Sequence, residues 1–186
     1  MARVNGKLNE LHKSLDRDAL VEFVTTGEKI GEQSYRRTAT LMLTKAVRDV
    51  MGKSEKLVVQ FSVHKGYYCE IKGHMPMEEN LLKKLSQRMR TLAEQNLPII
   101  KRTVSTTEAA EMFESNGMAG KVSLLKYRRA SRVNMYQLED ILDYYYGYMA
   151  PSTGYITRFE LIPYRDGFDP ETDFEITDRI AEGLMV

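Results

Sequence analysis

Apolar residues recurring at spacings of three and four give the strongest signal in the chain. Ala39, Met42, Leu43, Ala46, Val47 and Val50 form one stripe, with Ser34 as a candidate cap and Gly52 just past its end. This predicts an amphipathic helix whose opposite face, carrying Arg36, Arg37, Lys45 and Arg48, is solvated. A second stripe, Leu81, Leu82, Leu85, Met89 and Leu92, predicts a helix from Met77 to Gln95. Ser105-Thr-Thr-Glu108 is a capping box for a short helix ending at Asn116-Gly117, and Lys121 to Arg128 reads as a further helical turn or two.

Extended runs fill the rest. Asn5-Gly6 is a tight-turn signal between two short strands, and the apolar piece Leu20 to Val24 reads as a buried strand. Leu57 to Val63 and Tyr67 to Ile71 read as a hairpin around His64-Lys-Gly66, with Gly66 at the position needing positive φ. Pro98-Ile-Ile100, Val133 to Tyr136 and Tyr155 to Ile162 are further strand candidates. Helices and strands mix without a βαβ rhythm, so the expected fold class is α+β with a mostly antiparallel sheet and packed helices.

Composition narrows the function. The chain has 186 residues, with a net charge of +1 from 27 basic and 26 acidic residues. Such a balance excludes nucleic-acid binding by bulk charge and leaves only a local patch. The single cysteine, Cys69, excludes an intrachain disulfide and a cysteine-rich zinc site, and fits a reducing compartment. No secretory signal and no long apolar run is visible, so the reading is a soluble, cytoplasmic chain with no membrane partner.

Several chemistries fail on spacing. A phosphate-cradling loop needs glycine five residues before the Gly-Lys pair, but Val47 precedes Gly52-Lys53-Ser54 and Ser115 precedes Gly120-Lys121. His12, His64 and His74 have no helical ligand spacing, and Cys69 reads as a core or interface cysteine rather than a ligand. No metal, cofactor or catalytic residue is therefore assigned.

Two segments stand out. Ser115 to Leu138 holds five basic residues and no acid. Its Lys121, Lys126, Tyr127, Arg128, Arg129 and Arg132 are candidates for nucleic-acid contact, since cations hold phosphates and tyrosine stacks on bases. The alternative is a solvated face or an interface. Asp143 to Tyr155 gathers five of the eleven tyrosines and ends in Pro151-Ser-Thr-Gly154, a turn. Such a cluster either lines a pocket or borders the core with its hydroxyls paired.

Four segments together resemble the second additional domain of threonyl-tRNA synthetase, shared more weakly with alanyl-tRNA synthetase. They are Tyr35-Arg-Arg-Thr-Ala-Thr-Leu-Met-Leu43, Val63-His-Lys-Gly-Tyr-Tyr-Cys-Glu-Ile71, Ser105-Thr-Thr-Glu-Ala-Ala-Glu-Met-Phe113, and Asp143 to Gly154. The resemblance covers about residues 28–168. Residues 1–27 resemble the last part of a TGS domain, a ubiquitin-like β-grasp module. Residues 169–186, with six acids against Arg179, read as an acidic tail or linker.

In the synthetases the resembling domain removes a wrongly attached amino acid from tRNA, using an H-x-x-x-H pair and a C-x-x-x-H pair. Here the first pair falls on Arg37 and Leu41, and the second on Tyr145 and Met149. All four are replaced; Arg and Leu do not hold a metal under ordinary conditions, and Met is a weak, soft ligand. The run Tyr-Tyr-Tyr-Gly-Tyr-Met before Pro-Ser-Thr-Gly-Tyr also resembles the N-terminal region of bacterial uridine kinase-related proteins, whose kinase domain is absent here. The resemblance implies a non-catalytic region that recognises a nucleoside, nucleotide or tRNA, with the kinase domain of the same full-length protein as a partner. Its pocket candidates are Arg37, Leu41, Tyr145, Tyr146, Tyr148, Met149, Ser152 and Thr153. The alternatives are a metal-free deacylase and a structural module that forms homodimers or docks another domain.

Overall fold

Asn5 and Gly6 adopt φ of 50° and 77°, the twist that a two-residue hairpin requires. They join β1 (Ala2–Val4) to β2 (Lys7–Asn9), and β3 (Val21–Phe23) pairs with the other side of β1. The computed structural model describes residues 1–63, 66–72, 79–115, 119–126, 131–163 and 173–177. The predicted strand at Leu20 to Val24 is real, but it is not buried. Leu20 is 68% and Phe23 78% exposed, and only Val24 enters the core. β3 is an edge strand, so its apolar composition does not report a buried position.

The first helix, α1 (Lys29–Met51), begins five residues before the predicted cap. Ser34 is not a cap; it lies buried inside the helix, where its carbonyl accepts the Thr38 hydroxyl at 2.8 Å. Thr40 and Thr44 bond back to Arg36 and Thr40 in the same way, so buried hydroxyls are satisfied within the helix. Gly52, at φ 107°, ends the helix as expected and donates to Arg48 O.

The predicted solvated face of α1 is largely covered. Lys45 is buried and pairs with Asp49 at 2.7 Å, which also accepts from Arg88 at 2.8 Å. Arg36 pairs with Glu32 and lies over the Tyr67 ring. The charged side chains therefore hold neighbouring elements, which explains how a helix with one apolar stripe is covered on its charged face as well.

The remaining strands are antiparallel wherever they pair. β4 (Lys56–Val63) and β5 (Gly66–Lys72) form the predicted hairpin, although His64 and Lys65 of its turn lie outside the described residues. The sheet continues with β9 (Glu160–Pro163) and β10 (Asp173–Thr177), in the order β4-β5-β10-β9. Cys69 is fully buried in β5, as a core cysteine. α2 (Glu79–Gln95) packs on α1 and buries Leu82, Leu85, Met89 and Leu92.

The predicted strand from Tyr155 is a 3-10 turn over Thr153–Tyr155, and extended structure resumes only at Glu160. Together these elements form one unit, residues 1–98 and 148–186.

A second unit spans Ile99–Gly147. It holds a sheet of β6 (Ile100–Ser105), β7 (Arg132–Leu138) and β8 (Ile141–Tyr144), with α3 (Thr106–Ser115) and α4 (Ala119–Lys126). Ser105 caps α3 as its sequence predicts, accepting the Glu108 N–H at 3.1 Å. Phe113, Val133 and Met135 anchor its core. β8 is not among the expected strands, because its last two residues open the tyrosine-rich run. The α+β, antiparallel fold class is the observed one. Among the described residues, no helix is long and apolar enough to cross a membrane.

Candidate functional site

Residues of α1 and the loop after Gly147 meet within the first unit, and one peptide group joins them. The Arg37 guanidinium donates to Tyr148 O at 3.3 Å. The N–H of the same peptide, at Met149, donates to Glu10 Oε1 at 3.0 Å. The Tyr148–Met149 peptide is thus held between a cation on its carbonyl and a carboxylate on its N–H. Charge-assisted hydrogen bonds of this kind are stronger than neutral ones. At the next position of α1, Thr38 Oγ1 accepts the Ala150 N–H at 2.9 Å.

Glu10 is the member that the sequence does not announce. It follows β2, far in sequence from the loop, and is 5% exposed. Its second oxygen lies 3.9 Å from His12 Nδ1. Burial holds the Met1 ammonium below its ordinary value, while the Glu10 charge pulls it the other way. A buried carboxylate needs such donors. The only available signal was an acid among the short strands of the first residues, which carries no spacing information.

The sequence-predicted pocket residues divide by environment. Leu41, Met149 and Thr153 lie in the interior, at 0%, 1% and 0% exposure. Arg37 and Tyr148 are half-buried. Arg37 also donates to Gln33 Oε1 at 3.5 Å, so two of its five N–H donors have partners among the described residues. Ser152 donates to Asn96 Oδ1 at 2.6 Å. Thr153 Oγ1 donates to Leu92 O and accepts the Leu97 N–H at 2.8 Å. The Pro151–Gly154 turn is therefore pinned to the end of α2. A Cβ at Gly154 would stand 2.3 Å from Asn96 Oδ1, which explains the glycine. Tyr145 and Tyr146 belong to the second unit. Tyr145 meets Tyr136 edge-on at 6.4 Å, and Tyr146 is 76% exposed.

The basic candidates are partly spent. Lys121 pairs with the buried Asp143 and lies over the Phe113 ring. Arg132 donates to Thr103 O at 2.9 Å. Tyr127, Arg128 and Arg129 lie outside the described residues, as does the side chain of Lys126. Among the described residues, no group of three or more His, Cys, Asp or Glu side chains is arranged to hold a metal ion. His64 and His74 lie outside them.

An α+β chain with a clamped loop over a central helix is the class that this geometry defines. No family model matches the chain. Its homologues are threonine–tRNA ligases. The chain is 31% identical over 164 residues to the enzyme of Thermotoga petrophila, covering 87% of this chain and 25% of the relative. For Syntrophotalea carbinolica the identity is 30%, over 86% of this chain and 25% of the relative. For threonine–tRNA ligase 1 of Bacillus subtilis it is 29%, again over 86% and 25%. The chain spans about a quarter of the length of these curated relatives. The similarity fits the editing-domain-like fold that the sequence resemblance implies.

Proposed function

We propose that this chain recognises the acceptor end of tRNA without hydrolysing the bond to its amino acid. The carrying observation is the Tyr148–Met149 peptide held between Arg37 and Glu10. It stands where the resemblance puts two pairs of hydrolytic residues. Arg37 replaces a neutral imidazole with a fixed cation, which suits a phosphate or carboxylate. Leu41 and Met149 add packing and no proton-transfer group. The names of the homologues favour tRNA as ligand class over a free nucleoside. They lend no support to a link with a kinase domain.

The domain boundaries follow the same reading, with a TGS-like piece at 1–27, the recognition domain at 28–168, and the acidic segment at 169–186, whose β10 completes the sheet of the recognition domain between β5 and β9. The test is titration of fluorescently labelled tRNA with wild type and Arg37→Ala. Saturable binding, weakened about tenfold by loss of one phosphate-contacting arginine, is the expected result. Equal affinity of the two proteins would contradict the role of Arg37. Hydrolysis of aminoacyl-tRNA by the wild type would return the chain to the deacylases.

A further inference from the structure

A cleft of about 500 Å³ lies in the first unit between β3, the start of α1 and the segment after the 3-10 turn. Its volume is that of a small-molecule site rather than a packing defect. Phe23 and Tyr155 stand at it with 78% and 52% of their surface exposed. Large aromatic rings left in water on a folded surface are the residues that interfaces use.

The charge of the lining is one-sided. Among the described residues, the charged groups of the lining are Arg158 and the Met1 ammonium, and no acid is among them. The backbone of Arg158 is fixed by one side chain: Tyr35 donates its hydroxyl proton to Arg158 O at 2.7 Å and accepts the Arg158 N–H at 2.9 Å. A cation on a clamped backbone beside two exposed rings is preorganised for a ligand with a planar ring and an attached anion. Thr26 and Thr157 are also among the lining residues. A purely apolar partner would leave Arg158 unused. An acidic peptide would leave the rings without a planar group to stack on.

We infer that this cleft binds an unpaired nucleotide of single-stranded RNA, its base on Phe23 and Tyr155 and its phosphate at Arg158. Stacking on exposed aromatics with a neighbouring cation is the general means of holding such strands. The cleft borders the clamped loop, because Ser34 and Tyr35 lie within the turn of α1 before Arg37 and Ala150 follows Met149. It extends the tRNA reading to a second contact, but its chemistry does not require Arg37 to bind anything.

The test is fluorescence anisotropy of fluorescein-labelled octa-adenylate, with AMP as competitor. Phe23→Leu and Tyr155→Leu are each expected to weaken binding about tenfold, while Phe23→Trp retains it. Arg158→Ala is expected to weaken binding and lower the salt dependence by about one counterion. In an Arg37→Ala background Phe23→Leu still weakens octa-adenylate binding about tenfold, so the two sites fail separately. Phe23 is exposed, so its variants keep the fold, which thermal melts check.

No binding of octa-adenylate, or equal binding by Phe23→Leu and Phe23→Trp, would overturn the inference and leave the Arg37 proposal standing. AMP competing as well as the strand would assign the cleft to a free nucleotide and overturn the RNA assignment. A dimer in sedimentation that Phe23→Lys dissociates, with no RNA bound, would give the face to a second copy instead.

Discussion

The loop Tyr148–Gly154 is tied to its surroundings at most of its residues, whereas among the described residues Lys121 and Arg132 in the second unit each hydrogen-bond one oxygen acceptor. Arg37, Glu10, Thr38, Asn96, Leu97 and Leu92 all bond to the loop, through side chains or backbone. Lys121 reaches Asp143, and Arg132 reaches the Thr103 carbonyl. A single contact leaves a long side chain with most of its freedom, while several contacts to one short loop fix its shape. The difference teaches that a run of suggestive residue types does not itself define a site. What defines it is whether the fold spends those groups on itself and what it leaves over.

The sharpest way to break the comparison is Thr153→Val, which keeps the side-chain shape but removes the hydroxyl. The Leu92 carbonyl and Leu97 N–H then lose a buried partner. A loss of about 2–3 kcal/mol in denaturant-measured stability is expected. Glu10→Ala comes next, at about 2 kcal/mol, since it strands the Met149 N–H in the interior. Glu10→Gln keeps an acceptor oxygen and should recover most of that loss in the same assay. Equal losses for Ala and Gln would mean that Glu10 fills space and does not hold the peptide.

Lys121→Ala should cost less, about 1 kcal/mol, because its ammonium is partly exposed and so partly screened. It should leave RNA affinity unchanged. An affinity loss as large as that of Arg37→Ala would erase the distinction between the two regions.

The smallest effect concerns the start of α1. Glu28 accepts from Arg3, and that hydrogen bond holds its carboxyl below the ordinary value of 4.5. A lowered folded-state value means that the ionised form stabilises the fold above the unfolded pKa. The contribution disappears as pH falls through the folded value. The melting temperatures of wild type and Glu28→Gln should therefore differ slightly at pH 7 and converge below pH 4.5.

Much of this was readable in the chain. The Asn5-Gly6 turn, the α2 stripe, the Ser105 cap and the β4–β5 hairpin are local signals, and local chemistry decides them. The start of α1 was misplaced because Ser34 has cap chemistry, but Thr38 uses its carbonyl within the helix. The apolar composition of β3 suggests burial, but composition does not report which strand stands at an edge. β8 escaped because its pairing with β7 is a tertiary fact hidden in a tyrosine run. At the site, Arg37 and the 148–153 loop were legible through resemblance. Glu10 was not, since its partner lies 139 positions away.

The most direct test of the account is a single incubation of excess protein with radiolabelled aminoacyl-tRNA. It counts label retained on protein and label released from tRNA together. The account predicts saturable retention, about tenfold weaker for Arg37→Ala, with release at the protein-free rate. Release above that rate, or equal retention by both proteins, would contradict it.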